Sequence, residues 1–316
     1  MLACPFSCTL LFILEQIKNM KEKALSIIYI LIAGCAWGCM GLAVRPLNEK
    51  GFSTMDITFL RAIITCVMLG VFLLIYNREV LKVKIKDLWC FVGTGALSVC
   101  FFNFCYFKTI TLTSMSVAAV MLYTAPAFVM LLSGLLFKEK ITIKKIIAVF
   151  VAFAGCCLVS GVVGGNMHLS VSGILFGIGS GIGYALYSIF GRYALNKGYN
   201  SITITFYTFL FCSVSSILNV NPIEVSQKVC ETPGLIWWTI GMMLFVTLLP
   251  YLVYTKGLQK VENSTASVVA SIEPVVATIL GIIIYKETID IYILSGIILV
   301  LLSVIIINSK NKIVQK

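Results

Sequence analysis

Residues Tyr106–Ile141 read YFKTITLTSMSVAAVMLYTAPAFVMLLSGLLFKEKI, and 148 residues further on Tyr254–Ile289 read YTKGLQKVENSTASVVASIEPVVATILGIIIYKETI. The two stretches align without a gap and match at ten of 36 positions, among them Pro126 with Pro274, Lys138 with Lys286 and Glu139 with Glu287. A second pair, Gly34–Phe59 and Gly181–Phe206, aligns at an offset of 147 and matches Gly34/Gly181, Arg45/Arg192, Lys50/Lys197, Gly51/Gly198 and Phe59/Phe206. Membrane helices share a narrow alphabet, so apolar likeness alone carries little. A near-constant offset that preserves prolines and charges argues for duplication.

The duplicated material is membrane-like. Of 316 residues 59% are hydrophobic and 12% charged, with a mean hydropathy of +1.02, whereas soluble domains carry roughly 25% charged residues. A helix of about 20 apolar residues crosses a bilayer with its backbone satisfied internally. Runs of that kind fall at 24–44, 55–76, 87–107, 115–137, 145–163, 172–191, 202–220, 234–255, 264–285 and 291–308. The expected fold is therefore an all-α polytopic membrane protein with ten transmembrane helices. Residues 20–163 form the first five-helix repeat, 164–308 the second, and 309–316 a basic tail. The apolar start MLACPFSCTLLFIL is too short to span and lacks the marks of a signal peptide. Residues 1–19 are read as a dispensable extension, with Met20 as the more natural start and an upstream-start artefact as its origin.

Lysines and arginines fix the orientation, because cytoplasmic loops keep an excess of them. Eighteen lie on the side of both termini, in segments such as Arg78–Lys86, Lys138–Lys145, Arg192/Lys197 and the tail. Five lie on the other side: Arg45, Lys50, Lys108, Lys228 and Lys286. Both termini are then cytoplasmic. Five spans per repeat is an odd number, so the second half sits upside down relative to the first, as in many secondary transporters. The net charge of +11 is scattered between apolar runs and reads as topology rather than as a nucleic-acid surface. Most of the twelve cysteines lie inside apolar runs and behave as small hydrophobes. No metal site is expected, since the one histidine, His168, is in a polar loop and no CxxC pair exists.

Four motifs carry a family resemblance: Ala36-Trp37-Gly38, Phe59-Leu60-Arg61, Tyr123-Thr124-Ala125-Pro126 with Lys138-Glu139-Lys140, and Glu273-Pro274-Val275 with Lys286-Glu287-Thr288. Over residues 24–308 the chain resembles the EamA-type members of the drug/metabolite transporter superfamily. The resemblance implies a basket of ten helices around a central cavity in a prokaryotic cytoplasmic membrane. It implies transport of amino acids, their derivatives or other small metabolites, often outward and driven by a gradient, without a cofactor or an ATP-binding subunit. No GxxxxGK[ST] run is present.

Charges inside spans cost roughly 2.5–3.5 kcal/mol on insertion scales and need a reason. Glu273 lies near the midplane of the ninth span, next to Pro274. It is read either as a group that exchanges a proton or binds a solute's amino group, or as a structural carboxyl bonded to a neighbouring helix; a proton is accordingly a candidate coupling ion. Arg61 in the second span either snorkels to headgroups or faces inward as a clamp for a carboxylate. Trp37 and its repeat partner Tyr184, with Tyr123 and Tyr187, are candidate cavity aromatics, while Tyr106 and Tyr254 at helix ends read as interface anchors. Asn103 is a cavity candidate that could equally hold two helices together. Glycines at 34, 38 and 41 and at 177, 179, 181 and 183 favour close packing, and Pro126, Pro250 and Pro274 mark expected kinks.

The expected partners are a small solute and the lipid bilayer; nothing in the sequence fixes an oligomeric state. An enzyme would need a nucleophile and base or a metal cluster within the spans, and neither is assembled. A channel or a non-transporting sensory protein is the remaining alternative.

Overall fold

Helices account for all the regular structure in the computed structural model, which describes residues 5–162, 170–286 and 289–309; no strand occurs among them. His168, Glu287, Thr288 and the tail from Lys310 lie outside the described residues. The first half contains α1 (Pro5–Gly38), α2 (Met40–Glu49), α3 (Thr54–Tyr76), α4 (Leu88–Val92), a π-helical stretch Gly93–Cys100, α5 (Phe101–Leu112), α6 (Met115–Leu122), α7 (Ala125–Phe137) and α8 (Ile143–Val159). The second contains α9 (Val171–Asn196), α10 (Ser201–Ser216), α11 (Pro222–Glu231), α12 (Pro233–Met243), a π-helical stretch Leu244–Leu248, α13 (Leu249–Gly257), α14 (Asn263–Ala270), α15 (Glu273–Tyr285) and α16 (Ile291–Asn308).

The duplication is written into the helix boundaries. α10 begins 147 residues after α3, and α13 to α16 each begin 148 residues after α5 to α8. The local chemistry repeats with them. Ser53 accepts from the Asp56 amide at 3.1 Å to start α3, and Asn200 accepts from the Thr203 amide at 2.8 Å to start α10. Lys138 and Lys286 end α7 and α15 in the left-handed conformation, at φ 56° and 57°.

Nine helices among the described residues are long and apolar enough to cross a membrane. α8, with 17 residues, is at the short end of the spanning range of about 17–25. It packs along α16 so closely that a Cβ on Gly155 would come within 2.9 Å of the Gly296 carbonyl oxygen, and one on Gly296 within 2.7 Å of the Gly155 carbonyl oxygen. Large apolar side chains such as Leu135, Phe150 and Ile305 stand exposed on the outside of the bundle, a surface suited to lipid.

The halves interlock. α1 packs against α13, α14 and α15 of the second half, and α9 against α5, α6 and α7 of the first, while α3 packs on α10. Sequence periodicity missed three features of this arrangement. The first span is interrupted at Cys39, where Gly38 is pressed against α15. The loop after α10 forms the amphipathic helix α11, which buries Val225 against Leu47 and Phe52. The widening ahead of Pro250 recurs at Gly93–Cys100, where no proline exists, so proline alone does not cause it.

Candidate functional site

Two helices break at matching places, and the breaks organise the site. Pro126 and Pro274 are the second residues of α7 and α15. Lacking an N–H, they cannot bond the carbonyls of Leu122 and Ala270 four residues back. The chain turns instead through Tyr123-Thr124 and Ser271-Ile272. Thr124 donates its hydroxyl to the Met121 carbonyl at 2.6 Å, and Ser271 donates its own to the Ser267 carbonyl at 3.2 Å. Glycines of the opposite half close on these breaks. A Cβ on Gly181 would lie 2.4 Å from the Thr124 hydroxyl, and one on Gly34 would lie 3.0 Å from the Ala270 carbonyl oxygen. A Cβ on Gly38 would likewise lie 2.7 Å from the Glu273 carbonyl oxygen.

Glu273 is the first residue of α15, so its carboxylate stands at the positive end of a half-helix. Tyr123, Tyr184 and Ser271 line the same small cleft, and the Tyr184 hydroxyl faces the carboxylate. The equivalent position in the first half is Ala125, which makes the acid a feature of one half alone.

Tyr184 also belongs to a belt of buried rings. Its centroid is 6.3 Å from that of Trp37, which stands 5.3 Å from Tyr251 and 5.2 Å from Tyr254. Tyr187 meets Tyr251 edge-on at 5.0 Å. Their polar tips are tied down: the hydroxyls of Tyr187 and Thr255 share a hydrogen bond of 2.7 Å, and those of Ser188 and Tyr254 one of 2.8 Å. The cavity between these rings measures about 20 Å³ and the cleft at Glu273 about 10 Å³. Each has room for roughly one water, far below the 300 Å³ or more of a small-molecule pocket.

Arg61 faces inward, at 7% exposure, and does not snorkel. Its Nη1 donates to the Met40 sulfur at 3.9 Å, and its Nε has no hydrogen-bond partner. No carboxylate lies within ion-pair distance of it among the described residues. On the belt side it is within reach of the Tyr251 hydroxyl. A guanidinium offers five donors in a fork, and burying one with a donor left unsatisfied is costly.

Of the residues singled out from the sequence, Trp37, Tyr184 and Tyr187 meet in the belt, Tyr123 and Glu273 meet at the adjoining cleft, and Arg61 lies beside Tyr251. Asn103 is buried but donates to the Val99 carbonyl of its own turn at 2.7 Å, and its side chain bonds no second helix among the described residues. Tyr254, read as an interface anchor from its place at a helix end, is instead 2% exposed at the centre, because α1 covers that end of α13. Tyr251 escaped the sequence reading. Its signal was its spacing of one helical turn from Tyr254 and its repeat alignment with Asn103.

Cross-half polar contacts shut one end of the bundle. The Glu139 carboxylate accepts from the Asn263 amide at 2.9 Å, the Ser264 amide at 3.3 Å and the Ser264 hydroxyl at 2.7 Å, capping α14. Lys145 pairs with Glu262 at 2.8 Å. Arg192 donates to the Asn263 side chain at 3.0 Å and to the Val261 carbonyl. At the other end Lys228 on α11 pairs with Asp56 at 3.0 Å.

A sequence model of the EamA-like transporter family matches residues 24–161 and again 171–309. An uncharacterized transporter of Archaeoglobus fulgidus is 28% identical over 87% of this chain and 95% of its own. The uncharacterized transporter YxxF of Bacillus subtilis is 23% identical, over 89% and 88% respectively. A solved crystal structure superposes with a TM-score of 0.72 at 15% identity, covering 90% of this chain and 96% of that one, which speaks to the fold alone.

Proposed function

The chain belongs to the EamA-like transporter family, and from that premise we propose that it is a secondary transporter moving an amino acid or related small metabolite outward across the cytoplasmic membrane. In this reading α8 is the fifth span and brings the total to ten, and five spans per half invert the second repeat. Both termini face the cytoplasm, and the two halves rock so that the site opens to one side at a time. The closed belt corresponds to a state in which neither side has access.

The observation that carries the proposal is the buried Arg61, whose Nε has no partner, within electrostatic reach of Glu273 at its half-helix end but not in an ion pair with it. The two opposite charges are not paired with each other. A solute bearing both a carboxylate and an amino group supplies what each lacks, and the rings between enclose its body. When the solute leaves, a proton on Glu273 takes the place of the amino group, which couples the return step to a proton gradient.

Purified protein in liposomes, offered pooled labelled amino acids and metabolites with and without a proton gradient, tests this reading. Flux that follows the gradient, together with a pH dependence flattened by Glu273→Gln, is the expected result. The absence of flux for every solute would remove the transport reading. Flux indifferent to Glu273→Gln at every pH would remove the acid from the mechanism.

A further inference from the structure

A cavity far roomier than the ring belt lies away from it. It measures about 510 Å³ and opens between the Asn77–Lys84 segment of the first half and the Lys197–Thr203 turn of the second. Its walls are fastened across the halves. Tyr207 donates to the Leu81 carbonyl and Thr203 to the Val80 carbonyl, each at 2.8 Å, and the Lys84 amide donates to the Tyr199 hydroxyl at 3.1 Å. Tyr199 in turn donates to Asp87 at 2.8 Å.

The lining is basic. Lys82, Lys84 and Lys197 face it, against one acid, Glu79. Asp87 answers Lys197 at 2.7 Å. Glu79 answers Lys82 at 2.6 Å, but both side chains are more than two-thirds exposed, so that pair is screened and opens at little cost. Lys84 has no acidic partner among the described residues. Immediately beside the cavity in the chain, Ile75, Tyr76 and Ile85 stand 71%, 75% and 86% exposed. A soluble anion would use the lysines and leave these apolar side chains bare. A molecule with a phosphate at one end and hydrocarbon at the other uses both.

We propose that this cavity seats the phosphate-bearing headgroup of an anionic phospholipid, with its acyl chains against the end of α3 and the residues leading into α4. Basic pockets between membrane helices on the cytoplasmic side have the charge and depth for such headgroups, and this end of the bundle is the one the lysine and arginine count assigns to the cytoplasm. Because the walls come from both halves, a bound headgroup ties them together in the conformation described here. The inference stands independently of the solute.

The test uses the full-length protein in phosphatidylcholine nanodiscs containing a minor fraction of phosphatidylglycerol, with co-released lipid counted by native mass spectrometry. Lys82→Gln and Lys84→Gln are each expected to lower phosphatidylglycerol retention about fivefold, since a lysine near an anionic headgroup contributes on the order of a factor of five. Lys50→Gln, at the opposite end of α3, is expected to leave retention unchanged. Both lining variants should melt like the wild type in pure phosphatidylcholine. Equal loss in Lys50→Gln would mean that net charge alone holds the lipid and would overturn the site. Displacement of phosphatidylglycerol by millimolar inorganic phosphate, or equal thermal stabilisation by phosphate alone, would assign the cavity to a soluble anion and overturn the lipid. Retention unchanged in both lining variants would overturn it outright.

Discussion

Replacing Glu139 with alanine probes the lock that shuts one end of the bundle. Its carboxylate satisfies two amides at the start of α14, those of Asn263 and Ser264, and both residues are almost fully buried. Neither amide has water to fall back on. Lys145 keeps the Glu262 carboxylate at 2.8 Å and the Lys140 carbonyl at 2.9 Å, so no orphaned cation is created and no large penalty for a stranded buried charge enters. The Ser264 hydroxyl bond at 2.7 Å and the Lys145 contact at 3.9 Å go too, but a hydroxyl and an ammonium can turn to other acceptors; the loss that counts is that of a helix cap with two amide bonds, about 1 kcal/mol each and about 2 kcal/mol together. That corresponds to roughly a thirtyfold rise in local opening of α14. Hydrogen exchange followed by mass spectrometry, in nanodiscs, reads this directly on a peptide covering Asn263–Ala270. Glu139→Ala should accelerate exchange there about thirtyfold, Ser264→Ala by less, and peptides from α16 should be unaffected. Exchange within twofold of the wild type across α14 would refute the claim that Glu139 holds this helix start.

Arg61→Lys keeps the charge and loses the fork, so the expected outcome is normal insertion with a KM for solute raised about tenfold or more, in line with the 1.5–3 kcal/mol of a hydrogen bond to a charged group; an unchanged KM would exclude the clamp. Gly38→Leu forces atoms into a space where even a Cβ would lie 2.6 Å from Val276 and 2.7 Å from the Glu273 carbonyl oxygen, and should lower thermal stability by about 1–3 kcal/mol, whereas Gly41→Leu, with open space around its Cβ position, should not. The hydrogen bond to Asp87 raises the Lys197 ammonium above its ordinary value. Its contribution is therefore fully present below the unfolded-state value of about 10.4 and is lost only as pH rises through the higher folded one. Cross-linking between the Lys84 and Lys197 segments should accordingly stay flat from about pH 6 to pH 9 and fall only under strong alkali.

The repeat offset was legible in full, and it places helix starts, caps and breaks because those depend on residues within a few positions of one another. Pro126 and Pro274 announce their breaks for the same reason, as do Gly51 and Gly198, which sit at φ 80° and 89° where a side chain would be strained. What lay hidden depends on the other half of the chain. Tyr254 looks like an anchor at a helix end until α1 covers it. Asn103 looks like a bridge until its own turn claims it, and Arg61 could have turned either way. The interruption at Cys39 belongs to Gly38 and its seat on α15, a contact more than two hundred residues distant along the chain.

The interlocking of α1 with α13 to α15 also has a cost in time. α1 leaves the ribosome first, yet the surfaces that cover Gly34 and Gly38 are made almost last. At ordinary synthesis rates of about 5–20 residues per second, the gap between Gly38 and Glu273 is on the order of 10–50 s. During that interval the glycine stripe of the first helix has only lipid or insertion machinery for company. The protein cannot mature half by half: its two repeats complete each other, and neither is finished until α15 enters the membrane.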